Sequence, residues 1–246
     1  MEKYIIALKT DEDLGKEDFV RSLIHSWCEE IDERLRPEYY GLGEPVRKSI
    51  SEDGVEAVIQ TWLTKMRPML RRKSKPKFIV DINWRKEKGL DPRIFPWGCY
   101  VWLDSVAGDT LALKLFKFLI LQFRPAFGSI TFESENREKH FITYKTNVGT
   151  VEQFIGIDVG ETLPGIYWVT YFGPWSVKKI GRHLFEKVPS AEVETIDGGF
   201  LITSYERSKD IGSELARKIE KDLTVHFGPA HFFDKSTVDI EKLKTL

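Results

Sequence analysis

Hydrophobic positions along the chain change period several times, and each change marks an element. KYIIALK over 3–9 is short and apolar and runs into the polar TDED, the pattern of a buried strand followed by a turn. From Lys16 to Arg36, Phe19, Val20, Leu23, Ile24, Trp27, Cys28, Ile31 and Leu35 recur at helical spacing. Glu29, Glu30, Asp32 and Glu33 fall off that stripe, and Pro37 ends the predicted helix. Ser51 is placed to cap a second helix with the stripe Val55, Val58, Ile59, Trp62, Leu63 and Met66, closed by Pro68. Beyond the basic connector 67–77, Phe78, Val80, Ile82 and Trp84 alternate with more polar neighbours, as a half-buried strand does, and 97–104 supplies a partner strand.

Asp109 then stands as N-cap to 110–124, TLALKLFKFLILQFR, which is hydrophobic nearly all round and reads as a buried central helix. A bilayer-spanning helix needs roughly 20 mostly apolar residues. This segment is shorter and carries Lys114 and Lys117. Residues 127–163 read as short strands joined by the polar loops SENRE, TNVGT and DVGETLPG. Next come a strand at 165–172, a helix at 174–188, strands at 190–196 and 199–205, and a helix at 208–227.

These elements predict an α+β fold, a mainly antiparallel sheet with helices packed on it. The order strand, helix, strand, strand, helix occurs twice. The expectation is therefore a single domain over 1–246 made of two related halves, about 1–126 and 164–228, joined by a β-rich segment 127–163.

At 165–182, GIYWVTYFGPWSVKKIGR, large side chains alternate on both faces of the strand, as in a central strand. Gly173 is expected to free the backbone for the turn, and Pro174 to open the helix with its φ already set. Gly181 falls on the apolar face of that helix, where a missing Cβ would let helix and sheet approach. Asp197-Gly198-Gly199, between two alternating runs, predicts a tight hairpin turn.

Hydrophobic residues make up 41% and charged residues 30% of the 246, enough apolar material for a packed core. The 37 basic and 38 acidic residues leave a net charge of −1, which argues against a surface built throughout for nucleic acid. Cys28 and Cys99 have no CxxC partner and read as small buried hydrophobes. The first residues lack the basic region and long apolar segment of a secretory signal, so the expected compartment is the cytoplasm.

Catalytic patterns are missing from the sequence. His25, His140, His183, His226 and His231 are scattered, with none at metal-ligand spacing, and no GxSxG, P-loop or complete GxGxxG occurs. Gly41 and Gly43 begin a glycine motif that Pro45 interrupts, and Glu29 and Glu33 share a helix face without a predicted cleft. The basic run Arg67, Arg71, Arg72, Lys73, Lys75 and Lys77 would meet phosphate, with Trp62 and Trp84 as stacking partners. Both tryptophans, however, fall on the apolar sides of their elements. The remaining candidate is a protein-binding patch of Glu29, Glu30, Asp32, Glu33, Tyr39 and Tyr40, charges that steer beside tyrosines that bury.

One resemblance rests on Phe172, Gly173, Pro174, Val177, Ile180, Gly181 and Arg182, followed by Pro189 and Ile196-Asp197-Gly198-Gly199. An aromatic strand, F-G-P, V-x-x-I-G-R, a proline and I-D-G-G in this order resemble the immunity protein 52 family of bacterial polymorphic toxin and type VI secretion systems. The resemblance covers about one sixth of the chain. It implies a non-enzymatic antitoxin without cofactor, metal or direct nucleic-acid contact. Its partner would be a cognate toxin, commonly a nuclease effector, blocked to protect the producing cell. A small hydrolase or ligand-binding enzyme, its site assembled from distant residues, is the competing expectation, and a nucleic-acid-binding module using 67–77 is a third.

Overall fold

The computed structural model describes residues 2–64, 68–83, 97–147, 149–156 and 159–240. Its framework is an antiparallel sheet of ten strands. In chain order these are β1 (Lys3–Thr10), β2 (Tyr39–Gly41), β3 (Lys48–Ser49), β4 (Met69–Arg72), β5 (Phe78–Asn83), β6 (Trp97–Asp104), β7 (Phe127–Phe132), β10 (Val169–Phe172), β11 (Glu192–Ile196) and β12 (Gly199–Thr203). Across the sheet the order is β11-β12-β10-β7-β1-β6-β5-β4-β2-β3, and the remaining strands, β8 (Phe141–Thr146) and β9 (Gly149–Phe154), form a separate hairpin. The α+β expectation holds.

Helices α1 (Glu17–His25), α3 (Val55–Thr64) and α4 (Gly108–Phe123) cover one face. Tyr4, Ile6 and Leu8 of β1, Phe78, Val80 and Ile82 of β5, and Cys99, Val101 and Leu103 of β6 alternate onto that face, where they bury with Val20, Trp27, Trp62, Phe116 and Leu119. The predicted central helix is α4, with Leu111, Leu115, Phe116, Leu119, Ile120 and Phe123 buried. Truncating one such residue to alanine costs about 2–5 kcal/mol. In the other half, Phe127, Phe172, Phe200 and Ile202 turn the opposite way and form a second core with α6 (Pro174–Ile180) and α7 (Glu214–Phe227). Helices thus lie on opposite faces of the two halves.

Several predicted boundaries move. The helix expected over 16–36 ends its α-helical part at His25, makes one π-helical turn over Ser26–Glu30 and is extended by Ile31. Ile31 N–H returns to Ser26 O at 3.1 Å, and Trp27 Nε1 donates to Leu35 O at 3.0 Å. The stripe residues stay inside while the helix stops. Ser51 is not a cap, because the second helix splits at Gly54 (φ 81°) into α2 (Ile50–Asp53) and α3. Met66 and Arg67 of the predicted second helix and connector lie outside the described residues, as does Trp84 of the predicted strand. Asp109 caps nothing; it sits in the first turn of α4 and accepts hydrogen bonds from elsewhere.

Residues 127–163 hold one strand of the main sheet, β7, then α5 (Glu133–His140) and the hairpin. SENRE, expected as a loop, is inside α5, whose buried Glu135 and His140 replace the usual apolar stripe. The helix expected at 174–188 breaks at Gly181 (φ 109°) into α6 and a 3-10 turn. The last helix starts at Glu214, where the Ser213 hydroxyl accepts from Ala216 N–H at 3.1 Å. The hairpin at Asp197 (φ 46°) and Gly198 (φ 78°) is as expected, both residues left-handed.

Candidate functional site

The shift of helices from one face to the other leaves part of the sheet with no helix over it among the described residues; its side chains are half-buried, with Ile5 and Met69 buried. On β1, Lys3, Ile5 and Lys9 point away from the α1–α3–α4 layer, since their neighbours Tyr4, Ile6 and Leu8 point into it. Register places Ile5 opposite Trp102, Trp102 opposite Ile79, Ile79 opposite Arg71 and Arg71 opposite Tyr39, so one row crosses five strands on this face. The next row runs Ala7, Tyr100, Asp81, Met69. Tyr100 and Trp102 stack at 6.2 Å with 29° between their planes, and Lys9 Nζ sits 5.1 Å above the Tyr100 ring.

Three adjoining cavities open on this face. One, about 400 Å³, is walled by Lys3, Arg71, Lys73, Lys77, Trp102 and Asp104. A second, about 480 Å³, shares Lys3, Ile79 and Trp102 with it and is bordered by Leu42, Glu44 and Glu133. The third, about 410 Å³, reaches Lys9, Tyr100, Asn136, Phe141 and Phe154, so α5 and the β8–β9 hairpin form a side wall. Sequence reasoning missed this site. Alternation alone identifies which residues share a face, but not whether a helix covers them.

The predicted patch is divided by the fold. Glu29, Glu30 and Glu33 are exposed on the turn after α1. Asp32 beside them is held by Arg34 at 2.9 Å and Lys114 at 3.1 Å; the Arg34 hydrogen bonds, with help from Lys114, pull its carboxyl well below the usual carboxylate range. Tyr40 is buried at 3% exposure and donates to Asp53 at 2.7 Å. Burial, then that carboxylate partner, push its hydroxyl up to about 12. Tyr40 is therefore a packing residue. Tyr39, its neighbour in β2, points to the bare face with Lys73 Nζ 3.8 Å above its ring. The strand period separates the two tyrosines.

Of the basic run, Arg71, Arg72, Lys73 and Lys77 line the first cavity, and Arg72 also pairs with Glu38 at 3.4 Å. Trp62, the proposed stacking partner, is fully buried and donates to Leu14 O at 2.8 Å. Trp102 takes the place at the cavity that Trp62 does not.

A second concentration of charge lies under α5 and α7. Lys139 Nζ stands 2.6 Å from Glu135 Oε1, 2.8 Å from Glu220 Oε2 and 2.7 Å from Ile166 O, which uses all three of its protons. Tyr205 donates to the other Glu220 oxygen at 3.0 Å. Burial pushes the Glu220 carboxyl up to about 7, against the pull of Lys139. His140 contacts the Tyr167 hydroxyl through Nε2 and Ile155 O through Nδ1, and burial lowers it to about 4. With its donors saturated, Lys139 has none left for a substrate, and the arrangement works as a clamp between helices. Among the described residues, no group of three or more His, Cys, Asp or Glu is placed to hold a metal ion, and no helix is long and apolar enough to cross a membrane.

No protein-family model matches the chain, and no curated protein matches it. Among solved structures, the fold is similar to that of the Pseudomonas aeruginosa T6SS protein PA0821. The TM-score is 0.50 at 11% identity, over 90% of this chain and 76% of that one. At that identity the likeness is one of fold.

Proposed function

We propose that this protein is an immunity protein of a type VI secretion or related polymorphic toxin system. It binds a cognate secreted toxin, a nuclease effector, and neutralises it stoichiometrically in the producing cell. The reading is supported by the fold shared with a T6SS protein and by the sequence resemblance at 172–199. The observation that carries it is the bare sheet face, where stacked Tyr100 and Trp102 adjoin Met69 and Ile79 and are ringed by Lys3, Arg71 and Glu133.

Aromatic, Met and Arg side chains on a rigid sheet are what binding hot spots use: large contact area with little side-chain entropy to lose. A stable complex needs roughly 800 Å² from each partner, so contacts would extend past the cavities onto α5 and the β2–β3 loop. The acidic turn of Glu29, Glu30 and Glu33 is the other surface available, suited to steering toward a basic nucleic-acid groove. It lies on the helical side, away from Tyr39 and Trp102.

Affinity capture of the tagged chain from cells expressing the toxin tests the proposal. Stoichiometric recovery of a secreted nuclease whose activity falls on binding supports it. Recovery of no partner despite confirmed toxin expression overturns it.

A further inference from the structure

The basic cavity at one end of the bare face has a chemistry that neither the fold likeness nor the inhibitor reading specifies. Lys3, Arg71 and Lys77 converge there with Lys73 behind them, against the single carboxylate of Asp104. Among the described residues, no carboxylate lies within ion-pairing distance of Lys3, Arg71 or Lys77. Some surface cations elsewhere pair with carboxylates, as Arg21 does with Glu56, Lys117 with Glu194, Arg137 with Glu152 and Arg217 with Glu138; the three here are set apart by lining one cavity together. Three unmatched cations beside Trp102 and Ile79 form an anion subsite next to an apolar shelf.

The adjoining cavity reverses sign. Exposed Glu44 and Glu133 border it, and Lys3, Ile79 and Trp102 are common to both cavities. A nucleic-acid strand carries a phosphate at every nucleotide and would have to run past those carboxylates. A polypeptide can change charge between neighbouring residues. Lys3 to Lys9 spans roughly 20 Å of β1 at about 3.4 Å per residue, room for an extended segment rather than one small ion.

We infer that this face takes an extended segment of a partner protein. An Asp or Glu of that segment enters the Lys3–Arg71–Lys77 cavity, an apolar side chain lies on Trp102 and Ile79, and a cationic residue follows toward Glu44 and Glu133. The segment's identity as part of a toxin rests on the reading proposed above; its charge pattern rests on the cavities.

Fluorescence anisotropy tests the inference on the whole chain. The probes are a labelled extended peptide with glutamates at one end, a central phenylalanine and lysines at the other, the same peptide with glutamine for glutamate, and a labelled oligothymidylate. The acidic peptide is expected to bind, the glutamine peptide to bind about tenfold more weakly, and Lys77→Glu, at an exposed site, to weaken the acidic peptide by about tenfold. Trp102→Ala is expected to weaken both peptides. Circular dichroism melts establish that each variant is folded. The inference is overturned if neither peptide binds, if Lys77→Glu leaves binding unchanged, or if oligothymidylate binds more tightly than the peptide with a steep salt dependence.

Toxin capture separates the two claims. A toxin recovered equally by wild type and by Lys77→Glu removes this subsite and leaves the inhibitor reading standing. Charge-dependent peptide binding with no toxin recovered does the reverse.

Discussion

Lys139 Nζ lies 2.8 Å from Glu220 Oε2, joining α5 to α7 across 81 positions of the chain. Glu135 occupies a second donor of the same ammonium at 2.6 Å. Two carboxylates with side chains 7% and 10% exposed are thus held by one lysine that is itself 28% exposed. Lys139→Met would leave both carboxylates without a counterion. Removing one partner of a fully buried pair costs ~3–5 kcal/mol, and the partial exposure of Lys139 reduces the expected loss to about 2–3 kcal/mol. Urea unfolding of the variant measures it; a loss below about 1 kcal/mol would show that the clamp contributes little.

The same cluster sets a pH dependence. The Glu220 carboxyl is raised to about 7 in the fold by burial, against an ordinary value of 4.5. Its contribution to stability is therefore fully present below pH 4.5 and is lost as pH rises through 7. His140, lowered from 6.5 to about 4 by burial, works in the opposite direction: its contribution is present above pH 6.5 and is lost as pH falls through 4. Glu220→Gln, which keeps the shape and cannot ionise, is expected to gain stability relative to wild type between pH 5 and pH 8. Paired urea midpoints at the two pH values give that difference, and a constant gap would rule out Glu220 as the titrating group.

Gly173 and Gly181 are both intolerant of a side chain, for different reasons. Gly173 has an ordinary φ of −69°, but a Cβ there would overlap the Pro125 carbonyl oxygen. Gly181 has open space except toward the His183 ring and a φ of 109°. Gly173→Ala must displace backbone and is expected to cost more than about 3 kcal/mol, within the range of severe single substitutions. Gly181→Ala meets mainly conformational strain, about 1–2 kcal/mol. Thermal melts of the pair should rank them in that order.

Asp109 fastens the start of α4 to the distant turn at Ser208. It accepts from the Tyr4 hydroxyl at 2.6 Å, from Ser208 N–H at 3.1 Å and from the Ser208 hydroxyl. Asp109→Ala strands partly buried donors on two elements, with an expected loss of about 2–3 kcal/mol. Asp109→Asn keeps one acceptor and should recover part of it. Equal losses for the two variants, measured in urea, would indicate that the hydrogen bonds do not carry the effect.

Charge reversal at Glu29 and Glu33 examines the acidic turn separately from the sheet face. Both residues are exposed, so stability is expected to stay within about 0.5 kcal/mol of wild type. Association with a captured toxin should slow, most clearly at low salt, if this turn steers encounter. An unchanged association rate excludes it.

Periodicity in the sequence was enough to determine the α+β class, the buried run of α4, the alternating faces of β5, and the Asp197-Gly198 turn. Each depends on side chains a few residues apart, where backbone geometry links spacing directly to direction. Three other features were decided only when distant segments met. The two glycines exchanged their expected roles because the Pro125 carbonyl, 48 positions before Gly173, occupies the space a Cβ would need. Glu135 lies in a stretch that read as polar loop and His140 just beyond it, and their burial became tolerable only when Lys139, Glu220 and Tyr167 arrived as partners. Trp102 had the same alternating pattern whether covered or bare. Its position on a face that carries no helix among the described residues follows from helices packing on opposite sides of the two halves of the sheet, an outcome of which surfaces bury against each other rather than of any local spacing.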